Sequence, residues 1–108
     1  MIYSHEQLSR LVTPIAMKYH IPAVYLFGSY ARGTAREDSD IDLLIDTSGT
    51  EIKSLLQLSA IMLELEAVTG KSIDLITASS LTQKSDRPSA LRFRETVIRE
   101  RRPLYAVS

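Results

Sequence analysis

Three acidic residues stand inside short apolar segments that otherwise read as buried β-strands. No other feature restricts the folding of this chain as much. Asp40 and Asp42 open the segment DIDLLID at residues 40–46, and Asp74 is the second residue of IDLIT at residues 73–77. Strand side chains alternate between faces, so Asp40, Asp42 and Leu44 share one face while Ile41, Leu43 and Ile45 share the other. Two ionised carboxylates side by side repel, and burying them unpaired is costly. Such a chain either leaves them on an open face of its sheet or neutralises them with a divalent cation. Taken singly, Asp40 also reads as a strand-entry residue, and Asp42 and Asp74 as exposed strand positions.

The remaining patterns supply elements around these strands. Ser4 followed by Gln7 forms a capping box, and Leu8, Leu11, Val12, Ile15 and Ala16 make a helical stripe. Pro14 lies inside that stripe and predicts a kink or an early break. Residues 23–27 (AVYLF) read as a buried strand. Gly28-Ser29 ends it, with Ser29 as cap of a short helix that closes at Gly33. After a turn at residues 47–50, residues 51–69 form the strongest helical pattern, closed by Gly70. Residues 73–77 are a third strand and 78–87 a polar connection. Pro88 opens a last helix to about Arg101. The expectation is one domain over residues 1–108, of α/β (α+β) class, with a three-stranded mixed sheet flanked by about four helices.

Composition narrows the setting. A chain of 108 residues that is 44% hydrophobic and 24% charged can build one core. A domain of this size buries only about 60–70% of its unfolded surface, so a stable partner would help it. Without cysteine, neither a disulfide framework nor a thiolate metal site is possible. No apolar run reaches the roughly 18 residues of a membrane span, and the N-terminus lacks a signal-peptide pattern, so the expected location is cytoplasmic. The net charge is zero but uneven. Five acids (Glu37, Asp38, Asp40, Asp42, Asp46) crowd residues 37–46, whereas seven cations (Lys84, Arg87, Arg92, Arg94, Arg99, Arg101, Arg102) fall in residues 84–102. The acidic run suits a divalent cation; the basic one suits an acidic partner, a phosphate or plain solvation.

Gly28-Ser29 ties the acids to a chemistry. A strand that ends in Gly-Ser and opens a helix presents backbone amides and a hydroxyl where phosphate oxygens bind, and glycine lets a ligand approach closely. Magnesium takes oxygen ligands and commonly uses one or two carboxylates together with substrate phosphates. A neighbouring strand that brought Asp74 beside Asp40 and Asp42 would give three carboxylates for a two-metal site. Ten residues separate Gly28-Ser29 from Asp40-x-Asp42. A phosphate cradle opposite a metal pair is what phosphoryl chemistry requires.

The segment LFGSYARGTAREDSDIDLLID resembles the signature of the polymerase-beta-like nucleotidyltransferase superfamily. The short length, SIDLIT and the RETVIRERRPLY ending resemble its minimal nucleotidyltransferase branch. The resemblance implies that Gly28 and Ser29 hold the β and γ phosphates of ATP. It further implies that Asp40 and Asp42 bind two magnesium ions, and that Asp74 completes the second metal site and helps deprotonate an acceptor hydroxyl. Many members of that branch are antitoxins paired with HEPN-domain RNase toxins, which they inactivate by adding AMP to a tyrosine. The resemblance therefore implies a hetero-oligomer with a HEPN toxin, a nucleoside triphosphate substrate, and neither a membrane nor nucleic acid as direct partner.

Two other features fit a protein partner. The helix at 51–69 carries two apolar stripes, Ile52-Leu55-Leu56-Met62-Leu63 and Leu58-Ile61-Leu65-Val68, with only Lys53, Gln57 and Glu64 between them. Such a helix is either deeply buried or docked on another chain as well. In the last helix Arg92, Arg94 and Arg99 are available to an acidic surface, although Glu95 can pair with Arg99. His5 and His20 have no ligand spacing. Tyr30 and Arg32 flank the phosphate turn and fit either nucleotide contact or packing. Alternative readings stay open: an antitoxin that only binds its toxin, or a transferase acting on a small molecule or RNA end with an accessory subunit.

Overall fold

A computed structural model describes residues 1–81 and 87–107. The elements, in order, are α1 (His5–Lys18), β1 (Ala23–Phe27), α2 (Gly28–Arg32), β2 (Ile41–Asp46), α3 (Leu55–Thr69), β3 (Ile73–Thr77), α4 (Ala78–Leu81), α5 (Pro88–Glu100) and β4 (Arg102–Ala106). Four strands form one mixed sheet in the order β3-β2-β1-β4. β1 runs antiparallel to β2 and β4, and β2 runs parallel to β3. The end of β1 therefore lies beside the beginnings of β2 and β3. That edge carries the acids.

The fourth strand corrects the three-stranded expectation. Arg102-Pro103-Leu104-Tyr105-Ala106 has no clean alternation, and Pro103 cannot donate to a ladder, which restricts it to an edge strand or bulge. It has both: β4 is the edge, and its pairing with β1 shifts register between Val24 and Tyr25, the latter opposite Pro103. α1 covers the outer edge, where His5 Nε2 contacts the Pro103 carbonyl oxygen at 2.9 Å and Ser9 Oγ donates to Leu104 O at 2.6 Å. The connection expected over residues 78–87 begins as a helical turn, α4; Lys84 lies outside the described residues.

Helix ends follow local chemistry. Ser4 Oγ accepts from Gln7 N, and Ser54 Oγ from Gln57 N, each completing a capping box. The second box starts α3 at Leu55 rather than at residue 51, because Gln57 Oε1 also accepts from the Lys53 and Ser54 amides and holds them outside the helix. α1 continues through Pro14 to Lys18 instead of breaking there. Leu8, Val12, Ile15 and Ala16 are all buried, and burial at about 1.5–3 kcal/mol per large apolar side chain offsets the proline's lost hydrogen bond.

The sheet is covered unequally. On one face Val24, Leu26, Ile41, Leu43, Ile45, Ile73 and Leu104 pack with α1, Tyr30 and Ala31 of α2, and Ile61 and Leu65 of α3. On the other, a small cluster joins Phe27 and Leu44 to Val97 of α5, with Tyr25, Ile76, Ala78 and Leu81 at its margin. α3 buries Ile61 and Leu65 and lays Leu58 and Met62 partly against the core, while Val68 stays exposed. Leu55 is 82%, Leu56 84% and Leu63 61% exposed, so the other stripe faces solvent at these positions. Among the described residues, no helix is long and apolar enough to cross a membrane.

Candidate functional site

The site gathers at the edge where β1 ends. Gly28 follows Phe27 with φ +72°, a left-handed conformation that glycine adopts without strain. It opens α2, whose N-cap is the backbone of Phe27 with no side-chain bond, so Ser29 is the second residue of the helix rather than its cap. The Ser29 carbonyl accepts from the amides of Gly33 and Thr34, which closes α2 on Gly33 in the left-handed region. Among the described residues the Ser29 hydroxyl has no hydrogen-bond partner. With five residues α2 has little macrodipole, so an anion here would rely on the turn's amides and this hydroxyl.

Asp42 faces that turn. It pairs in register with Phe27 across the antiparallel ladder and with Asp74 across the parallel one. A Cβ on residue 28 would overlap Asp42 Oδ2 and lie 2.9 Å from its Cγ. Asp42 and Asp74 lie side by side in register, close enough for their carboxyls to interact, Asp42 half-buried and Asp74 exposed. Asp40 is exposed just outside β2, one residue short of the expected strand start, and adds its negative charge to the group. Burial first, then Asp74 and Asp40, push the Asp42 carboxyl up to about 6, while the nearby Arg32 guanidinium opposes the rise. Arg32 is anchored by Glu100 of α5 at 2.9 Å.

Tertiary structure thus brings Gly28, Ser29, Asp42 and Asp74 together, with Asp40 at the rim. Among the described residues no group of three or more His, Cys, Asp or Glu side chains is already poised around one metal position. The donor set nonetheless suits a hard divalent cation. Two touching carboxylates hold a proton at unusually high pH, a cation would relieve that crowding, and magnesium ordinarily draws its remaining oxygens from water and substrate phosphate.

Other residues sort out clearly. Tyr30 turns into the main core, so packing explains it. Glu95 and Arg99 form no ion pair; the side-chain pairs among the described residues are Arg10–Glu6, Lys18–Glu64 and Arg32–Glu100. His20 is exposed with φ 56° at the end of α1. Phe93 escaped the sequence reading, because it stands as one apolar residue among arginines. Only packing places its ring nearly at right angles to that of Phe27, centroids 6.2 Å apart.

Known proteins share this fold. The family profile described as Polymerase beta, Nucleotidyltransferase matches residues 11–106. The Methanocaldococcus jannaschii protein MJ0435, provisionally assigned as a protein adenylyltransferase, is 41% identical over 76 residues, covering 70% of this chain and 80% of its own. The protein adenylyltransferase MntA of Thermococcus cleftensis is 44% identical over 64 residues, 59% of this chain and 63% of its own. A solved structure of a provisionally assigned minimal nucleotidyltransferase superposes with TM-score 0.69 at 35% identity, covering 94% of this chain and 96% of that one. A chain from a toxin–antitoxin crystal structure with AMP-PNP shares the fold at TM-score 0.71 and 20% identity, covering 93% of this chain and 74% of that one. The profile spans most of the chain, and the chain belongs to the polymerase-beta nucleotidyltransferase family.

Proposed function

We propose that the chain is a magnesium-dependent protein adenylyltransferase that moves AMP from ATP to a hydroxyl, a tyrosine in our reading, of a partner HEPN RNase toxin, and so acts as a cytoplasmic antitoxin. The observation that carries the reading is the Gly28-Ser29 turn set directly against Asp42, with Asp74 beside that acid in register. The similarity to MntA of Thermococcus cleftensis supports the reaction. A fold neighbour from the complex of tri-AMPylated Shewanella oneidensis HEPN toxin with its MNT antitoxin, TM-score 0.64, supports the partner.

In this reading the Gly28-Ser29 amides and the Ser29 hydroxyl hold the β and γ phosphates, which orients the α-phosphorus toward Asp42. Asp40, Asp42 and Asp74 would hold the magnesium, which would supply positive charge to offset that of the phosphate oxygens and the leaving pyrophosphate. Asp74, exposed at the edge, takes the proton of the acceptor hydroxyl. The freed oxygen forms a bond to the α-phosphorus, the α–β bridging P–O bond breaks in line, and pyrophosphate leaves. Arg32, fixed by Glu100, adds positive charge beside the phosphates.

The exposed leucines of α3 favour a lasting protein partner, and they equally support a second reading in which binding alone neutralises the toxin. Intact mass after incubation with ATP and magnesium, with and without the co-expressed HEPN partner, separates the two. AMP additions on the partner that vanish in Asp42→Ala support transfer. A tight complex that protects from the toxin, yet transfers nothing from any of the four nucleotides, refutes it.

A further inference from the structure

α5 is packed at one end and open at the other. Its anchor is Val97, buried against Phe27 and Leu44. Residues four and seven positions before Val97 lie on the same helix face, and these are Phe93 and Ala90. Both are exposed, Phe93 by 49%. The far end of the helix is tied down by Arg32–Glu100 and by Arg101, whose guanidinium sits 4.5 Å from the centre of the Tyr25 ring. Tyr25 lies deeper in the sheet than Phe27, so α5 approaches the sheet from the edge where β1 ends. Its first turns overhang that edge with an uncovered apolar face.

That overhang lies beside the acids. The Phe93 and Phe27 rings meet nearly at right angles, with planes at 82°, and Phe27 is both the residue before Gly28 and the register partner of Asp42. One apolar, flat, half-exposed surface is thus only one residue removed from the phosphate turn and from the paired carboxylates. A carboxylate and phosphate site has no use for a phenyl ring in reacting; a flat heteroaromatic base does, because base–aromatic stacking needs only an accessible ring face. With one side of the ring against Phe27 and about half of it exposed, Phe93 is partly positioned before a ligand arrives.

The geometry points to Phe93 as the platform on which the purine base of the nucleotide stacks, with Ala90 leaving room beside it. The inference rests on the nucleotidyltransferase reading and assigns a positioning residue to it. The base is held by α5 and the triphosphate by Gly28-Ser29, so α5 sets the angle at which the α-phosphorus meets Asp42. Because stacking takes any base, this platform contributes affinity and orientation, and little discrimination between adenine and guanine.

The test is calorimetric titration of the full chain with magnesium-ATP and, separately, with magnesium tripolyphosphate, which lacks the nucleoside. Phe93→Ala is expected to weaken ATP by about tenfold, within the range for loss of one stacked aromatic, while tripolyphosphate binds as to wild type. Phe93→Trp is expected to keep ATP affinity. In turnover with the partner, the alanine variant raises KM for ATP far more than it lowers kcat. Equal ATP affinity in wild type and Phe93→Ala overturns the platform and leaves the transferase reading standing. Loss of ATP and tripolyphosphate together also overturns it, since Phe93 then supports the fold instead of the base. A wild-type chain that binds neither ligand removes both readings at once.

Discussion

Gly28 leaves the space that the carboxylate of Asp42 occupies. Gly28 opens α2 directly after Phe27, the antiparallel register partner of Asp42, and a Cβ on residue 28 would overlap Asp42 Oδ2. Backbone turn and carboxylate are therefore one unit: the turn cannot acquire a side chain without displacing the acid that faces it.

Gly28→Ala is accordingly expected to damage the site far more than the fold. The left-handed φ of +72° costs alanine roughly 1–2 kcal/mol. Displacement of Asp42 should lower AMP transfer by about 10²–10³-fold, as when one preorganised group is lost from an active site. Radiolabel incorporation and thermal melting measure the two effects, and a variant with wild-type turnover would contradict the arrangement.

Asp42 also sets a pH signature. Its folded carboxyl is pushed up to about 6 from an ordinary 3.8, so the folded protein holds this proton more tightly than the unfolded chain does. The resulting stabilisation is complete below 3.8 and is lost as pH rises through about 6. In EDTA, Asp42→Asn should therefore melt progressively higher than wild type as pH goes from 5 to 7. Magnesium should shrink that gap at pH 7 by stabilising wild type alone. A difference in Tm that stays flat with pH would refute the assignment, and the asparagine variant should transfer no AMP.

Leu104 tests the edge strand. It is buried in the main cluster although its neighbours Arg102 and Pro103 are exposed. Leu104→Ala should cost about 2–5 kcal/mol, the range for a buried leucine truncated to alanine. Urea unfolding of the isolated chain measures it. A loss below about 0.5 kcal/mol, the range of ordinary surface changes, would mean that β4 contributes nothing to the core.

The outer face of α3 offers the opposite case. Leu56, Ser59, Ala60, Leu63 and Ala67 share it without a single charge, and all are exposed. Introducing Leu56→Glu and Leu63→Glu together should leave the stability of the isolated chain within about 1 kcal/mol, since each is a surface change. It should also sharply reduce recovery of a co-expressed partner. Undiminished co-purification would locate the partner elsewhere.

Much of this protein was legible before any contact was known. Ser4 with Gln7 marked the start of α1, Gly33 and Gly70 marked the ends of α2 and α3, and residues 23–27 and 73–77 coincide with β1 and β3. These signals are local: a cap, a left-handed glycine and a β-branched run each act within a few residues. Gly28, Ser29, Asp40 and Asp42 were marked by spacing along one short segment. What tertiary structure alone decided depends on partners distant in the chain. Residues 102–106 become a strand only because β1 offers them an open edge and α1 closes the other side. α1 passes Pro14 because the sheet pays for the lost bond, and α3 leaves Leu55, Leu56 and Leu63 outward because Ile61 and Leu65 fill the space it has over the core. Asp74 joins Asp42 through a parallel register that residue pattern cannot specify, and Phe93 reaches the site edge only because Val97 anchors its helix there. Sequence determines what each segment prefers over a few residues; which surfaces those segments share is settled only when the whole core closes.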